Sequence, residues 1–142
     1  MAELVFITGA SSGIGQALAL RYYRDGAHLA LVARRTDELA RWAAEQQLAP
    51  DRFAIYGADV ADVDAMARIG RECIAAQGVP EVVIANAGIS IGMDTAIFED
   101  LAVMRRTFET NNLGLAATFH PFIAAMNARG SGTLVGIASV AS

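Results

Sequence analysis

Lysine is absent from this sequence: all 11 basic residues are arginines, scattered among 15 carboxylates, and the formal net charge is -4. A protein that binds nucleic acid needs a clustered basic face to neutralise phosphates, and none is spelled here, so no nucleic-acid partner is expected. Cysteine is nearly absent as well. Cys73 stands alone, which excludes an internal disulfide, and with no second Cys and no nearby His it offers no zinc site; no metal is expected. It falls in a helical stretch, 66–77, where a small thiol reads as a buried hydrophobe. Long apolar runs are missing too. The first, Leu4 to Thr8, covers five residues, far short of a signal-peptide core or of the roughly 20 apolar residues that span a bilayer. A cytoplasmic location without a membrane partner is the expectation. Repeats, low-complexity tracts and linkers are likewise wanting, so residues 1–142 are expected to form a single domain.

What the sequence does have is apolar mass, 54% hydrophobic against 18% charged, enough for a packed globule rather than a disordered chain. Short apolar runs alternate with longer segments of helical period. Strands are expected at 4–8, 29–33, 53–58, 82–85 and 133–139, and helices at 13–24, 36–47, 62–77 and, as one long element, 98–128. This is the rhythm of βαβ units and a mostly parallel sheet. In the first helix Ile14, Ala17, Leu18 and Arg21 or Tyr22 share a face; in the second, Leu39, Trp42 and Ala43 do, with Thr36 placed as its cap. The long helix carries Leu101, Met104 and Phe108, then Leu115, Phe119, Phe122 and Met126. Pro121 is expected to bend it and Gly130 and Gly132 to end it.

Between the first strand and first helix stands Thr8-Gly9-Ala10-Ser11-Ser12-Gly13-Ile14-Gly15. Each glycine answers a separate demand: Gly9 a tight turn, Gly13 close approach of a pyrophosphate, Gly15 close packing of helix on sheet. Free amides at the helix start, with the helix dipole behind them, favour phosphate, and the Ser11 and Ser12 hydroxyls are further candidate donors. Three glycines would also suit a plain turn; the strand-to-helix context is what favours a phosphate site.

The spacing Thr-Gly-x3-Gly-x-Gly resembles the short-chain dehydrogenase/reductase family, and further motifs of that family follow in order. The resemblance implies a Rossmann-like α/β fold, a doubly wound parallel sheet of order 3-2-1-4-5 with helices on both faces, and hydride transfer between a nicotinamide cofactor and a carbonyl or alcohol substrate. It assigns cofactor binding to Gly9, Ser11, Ser12, Gly13, Ile14 and Gly15. Where the family's NAD users carry an acidic residue, this sequence has Ala33 followed by Arg34 and Arg35. A carboxylate repels a ribose 2'-phosphate and a guanidinium pairs with it, so NADP(H) is expected over NAD(H), through Arg34 before Arg35.

Asp59-Val60 matches the family's Asp-Val pair, the carboxylate meeting the adenine amino group; Asp59 is also placed to cap the next helix, though Asp62 is better placed. Asn86-Ala87-Gly88 is similar to the family's Asn-Ala-Gly, where Asn steadies the sheet and Gly admits the ribose. Asn111-Asn112-Leu113-Gly114 resembles its Asn-x-x-Gly. By that likeness Asn111, with Asn112 as the alternative, distorts the helix and holds a water of the proton relay. Ser139 falls where the family's catalytic Ser polarises the substrate carbonyl.

The family's Tyr and its partner Lys, four residues on, would follow about a dozen residues after Ser139, past Ser142. The 142-residue chain alone is therefore expected to bind cofactor without turnover, and a sixth and seventh strand with another helix are expected to be missing. Self-association is expected through the long helix or an exposed fifth strand. The competing reading is a dinucleotide-binding or interaction module that never catalyses.

Overall fold

The computed structural model describes residues 2–138. The elements are β1 (Leu4–Thr8), α1 (Gly13–Arg24), β2 (His28–Ala33), α2 (Thr36–Glu45), a single 3-10 turn (Pro50–Arg52), β3 (Phe53–Gly57), α3 (Val63–Gln77), β4 (Val82–Ala85), α4 (Asp100–Phe108), a π-helical turn (Glu109–Leu113), α5 (Gly114–Arg129) and β5 (Thr133–Gly136). The strands form one parallel sheet in the order β3-β2-β1-β4-β5. The order reverses beside β1, which opens a crevice at the carboxyl ends of β1 and β4, where such sheets take ligands.

The layering follows from the two-residue period of a strand. Val5 and Ile7 point into a core with Ala19 of α1 and Leu39, Trp42 and Ala43 of α2. Leu4 and Phe6 point the other way, among Met66, Ile69 and Cys73 of α3 and Phe122 and Met126 of α5. Because both faces are covered, β1 is apolar at nearly every position and buried along its whole length. The rings of Phe6 and Phe122 meet edge to face at 4.7 Å between centroids.

Several details differ from the sequence expectation. In α1 the buried residues are Gly15 and Ala19, with Leu18 and Tyr22 packed beside them, whereas Ile14 is 59% exposed and Ala17 is exposed. The helix is rotated so that Gly15 lies against the Gly9 carbonyl, and Ile14 is turned outward. Thr36 does not cap α2: Arg35 occupies the cap position and makes no side-chain capping bond to the helix backbone, and the Thr36 methyl abuts Gly57. The helix also ends earlier, at Glu45, where Gln47 takes a positive φ of 57°. The long helix is two, divided by the π turn, and its outer stripe stays outside the core: Phe108 is 57% exposed, while Gly114, Ala117, Thr118, Phe122 and Met126 are buried. The described part of β5 stops at Gly136, and Ser139 lies outside the described residues.

Candidate functional site

The site begins with a sharp exit from β1. Gly9 adopts φ +62°, and a Cβ there would lie 2.9 Å from the Ala87 amide nitrogen, so only glycine fits. Thr8, buried under the turn, ties two strand ends together. Its Oγ1 accepts from the Asn86 and Ala87 amides at 3.0 and 3.2 Å and donates to the Ile84 carbonyl at 3.5 Å. Asn86 extends the tie, donating from Nδ2 to the Gly9 carbonyl at 3.2 Å and to Ser12 Oγ at 3.3 Å. The Ser12 hydroxyl donates in turn to the Gly9 carbonyl at 2.8 Å, so its proton is engaged within the turn; Ser11 is exposed.

Gly15 completes the packing: a Cβ on it would sit 2.2 Å from the Gly9 carbonyl oxygen. Gly13 is the opposite case, with nothing within 4 Å of a built Cβ. Gly13, Ile14 and Gly15 form the first turn of α1, and their amides meet no acceptor among the described hydrogen bonds. Free amides, open space above Gly13 and the positive end of the dipole together fit a phosphate group.

A cleft of about 620 Å³ runs from this turn across the carboxyl ends of the strands. Of the residues singled out from the sequence, it brings together Gly9, Ser11, Ser12, Arg34, Asp59, Val60, Asn86, Ala87 and Gly88; Gly13, Ile14, Gly15 and Arg35 are not in its lining. Arg34 and Arg35 part company here. Arg35 bonds Glu38 at 3.2 Å, while Arg34 lines the cleft with no ion pair among the described residues. Asp59 accepts from the Ala61 amide at 3.0 Å, and the capping role falls to Asp62, which accepts from the Ala65 amide at 3.1 Å.

Asn111 stands behind the cleft, at the centre of the π turn. Both ends of its amide are spent on Ile89: Oδ1 accepts from the Ile89 nitrogen and Nδ2 donates to the Ile89 oxygen, each at 2.8 Å. Gly88 makes room, since a Cβ there would lie 3.2 Å from Asn111 Oδ1. The adjacent asparagines mark the place where the helix departs from regular geometry.

Sequence reasoning missed Ala58, Ala61, Ile89, Ile91, Arg106, Glu109 and Thr110, all in the lining. Arg106 and Thr110 stand four apart on one helix face, a spacing that was legible, but nothing local said which face met the cleft. The groups with raised pKa lie elsewhere, in the core beneath α3. Tyr56 Oη donates to Gln77 Oε1 at 2.9 Å, and the Cys73 thiol to the same oxygen at 3.9 Å. Burial, with the neighbouring Cys73 adding to it, pushes the Tyr56 phenol up to about 12. Burial does the same to the Cys73 thiol, also about 12. Among the described residues there is no cluster of three or more potential metal ligands, and no helix is long and apolar enough to cross a membrane.

The short chain dehydrogenase family model matches residues 3–142. A dehydrogenase/reductase SDR family protein 7-like of Drosophila melanogaster is 36% identical over 97% of this chain and 43% of its own length. An uncharacterized oxidoreductase of Mycobacterium tuberculosis is 38% identical, again over 97% of this chain, and over 55% of its own. Among solved structures, a short-chain dehydrogenase from Streptomyces avermitilis superposes with a TM-score of 0.86 at 32% identity, covering 98% of this chain and 50% of that one. ElxO with NADP bound gives 0.88 at 26% identity, over 98% and 56%. The chain thus spans about half the length of the relatives it matches. The match runs through every strand and through the turn and the π turn alike, and the chain belongs to the short-chain dehydrogenase/reductase family.

Proposed function

We propose that this chain is the cofactor-binding portion of an NADP(H)-preferring oxidoreductase that moves a hydride between the nicotinamide and a carbonyl or alcohol carbon. The observation that carries the preference is Arg34: it lines the cleft at the exit of β2 without a carboxylate partner among the described residues, while Ala33 puts no acid beside it. A guanidinium there pairs with a 2'-phosphate, and an acid in its place would repel one. Arg35, paired with Glu38, is the lesser contributor. ElxO, a neighbour at 26% identity, holds NADP, which is consistent with the reading.

In this assignment the first-turn amides of α1 and the Ser11 hydroxyl take the pyrophosphate, Asp59 and Val60 border the adenine, and Asn86, Ala87 and Gly88 border the nicotinamide ribose. The cofactor supplies the hydride. Asn111, whose side chain is spent on Ile89, is assigned the local distortion of the helix and, through its main-chain carbonyl, a water of the proton relay. Ser139 is assigned the carbonyl-polarising hydrogen bond. Tyr22, Tyr23 and Tyr56 stand outside the cleft lining and the sequence has no lysine, so the 142 residues by themselves are expected to bind cofactor without turnover.

The test is a titration of the purified chain with NADPH and NADH, repeated on Arg34→Asp. NADPH should bind more tightly to the parent, and the substitution should weaken NADPH at least tenfold while leaving NADH within about twofold. Equal losses for both dinucleotides would remove the argument for 2'-phosphate recognition.

A further inference from the structure

Arg106 lines the same cleft. It lies on α4, far in sequence from the strand ends, and lines the cavity with Thr110 one turn further along. Gly114 presses directly on Val60 at the exit of β3, where a Cβ would lie 2.7 Å from the Val60 side chain. That contact sets the start of α5 against Val60, and Arg106 and Thr110 line one cleft with Ala58, Asp59, Val60 and Ala61.

The state of the guanidinium is the second observation. Glu109, three residues on, shares the cleft lining, yet no ion pair joins it to Arg106. Elsewhere such spacings do close: Arg35 with Glu38 at 3.2 Å, Arg21 with Asp25 at 3.1 Å and Arg68 with Glu72 at 3.6 Å. Arg106 is thus an exposed planar cation with no ion pair among the described residues, lining the cleft that Asp59 and Arg34 also line.

We propose that Arg106 forms the upper half of an adenine clamp, its guanidinium plane lying on the face of the cofactor's adenine while Asp59 meets the ring edge. The inference rests on the proposed dinucleotide site and deepens it, because it assigns α4 a share of cofactor affinity that does not depend on the 2'-phosphate. A guanidinium is flat and weakly hydrated and stacks on aromatic rings, whereas an ammonium of equal charge has no plane to offer.

The experiment titrates the parent chain, Arg106→Ala and Arg106→Lys with NADPH, NADH, 5'-AMP and nicotinamide mononucleotide, with thermal melts confirming that the exposed substitutions leave the fold intact. Arg106→Ala should weaken NADPH, NADH and 5'-AMP by a common factor of about five to ten, with nicotinamide mononucleotide unchanged. Arg106→Lys should recover little of it. Unchanged affinities, a loss confined to NADPH, or full rescue by lysine would each overturn the clamp. If the parent chain binds neither NADPH nor NADH, the dinucleotide site itself fails; if it binds them and Arg106→Ala does too with equal affinity, only the clamp fails.

Discussion

Asn111 grips Ile89 by both of its backbone groups, so the loop leaving β4 is fastened to the π turn through one side chain. Asn111→Asp keeps the acceptor but sets a carboxylate oxygen against the Ile89 carbonyl in place of a donor. Losing that bond and leaving the carbonyl unpaired is expected to cost about 1–3 kcal/mol. The melting temperature should fall, and hydrogen exchange at the Ile89 amide should quicken more than in the β1 core. Uniform quickening along the chain would mean that the grip holds the whole fold rather than this loop.

Two glycines of one turn should respond in opposite ways. Gly15→Ala drives a methyl to 2.2 Å from a backbone oxygen that has no room to retreat, so α1 must lift off the sheet and stability should fall by more than 1 kcal/mol. Gly13→Ala meets nothing within 4 Å and stands in the first turn of α1, so its melting temperature should match or exceed the parent's. Its methyl intrudes where the pyrophosphate is proposed to lie, and NADPH affinity should drop tenfold or more. Normal NADPH binding by Gly13→Ala would place the phosphates elsewhere.

The strands and the two core faces were legible because a parallel sheet covered on both sides writes itself as short, wholly apolar runs. The cleft motifs were legible because each glycine or asparagine satisfies a backbone demand, as Gly9 does with its positive φ. The face of α1 was not: a hydrophobic count favours Ile14, whereas the helix is oriented by Gly15 against a carbonyl, a contact that carries no hydropathy. Arg106, Glu109 and Thr110 were missed for a related reason. They reach the site only because Gly114 docks on Val60, a contact between residues 54 positions apart. The break at 109–113 was half legible, since adjacent asparagines signal poor helix without saying whether the chain kinks, ends or takes an extra residue into one turn.

The crossing of α3 and α5 turns on a similar fit, with the Pro121 ring set into the notch at Gly70. A Cβ on Gly70 would lie 2.3 Å from the Pro121 Cβ, and a pyrrolidine ring cannot rotate away. Gly70→Ala should therefore destabilise, by about 1–3 kcal/mol, despite the better helix propensity of alanine. In a Pro121→Gly background the Cβ and Cγ that fill the notch are both gone, and the same substitution should become neutral or stabilising by up to about 1 kcal/mol. Denaturant melts of the four proteins in this cycle measure the reversal; additive effects would show that the notch is not where the strain arises.

Alkali should unfold this protein through the pair beneath α3. Tyr56 and Cys73 are neutral when protonated, and burial raises their pKa values from 10.0 and 9.0 to about 12 each. Above pH 9 the unfolded chain sheds these protons while the native one keeps them. The native state then binds more protons, so stability declines with pH across that window; it is fully present below pH 9 and lost as pH approaches 12. Gln77 shares the burden, for its Oε1 accepts from both groups while its Nε2 donates to the Leu29 carbonyl at 3.0 Å, linking α3 to β2. Melting temperatures at pH 8, 9, 10 and 11 should run flat and then drop. In Tyr56→Phe/Cys73→Ala, which removes both titrations, the drop should be shallower even though the variant starts lower for want of the Gln77 bonds. A parallel decline in the two proteins would assign alkaline unfolding to other groups and leave this pair a packing role only.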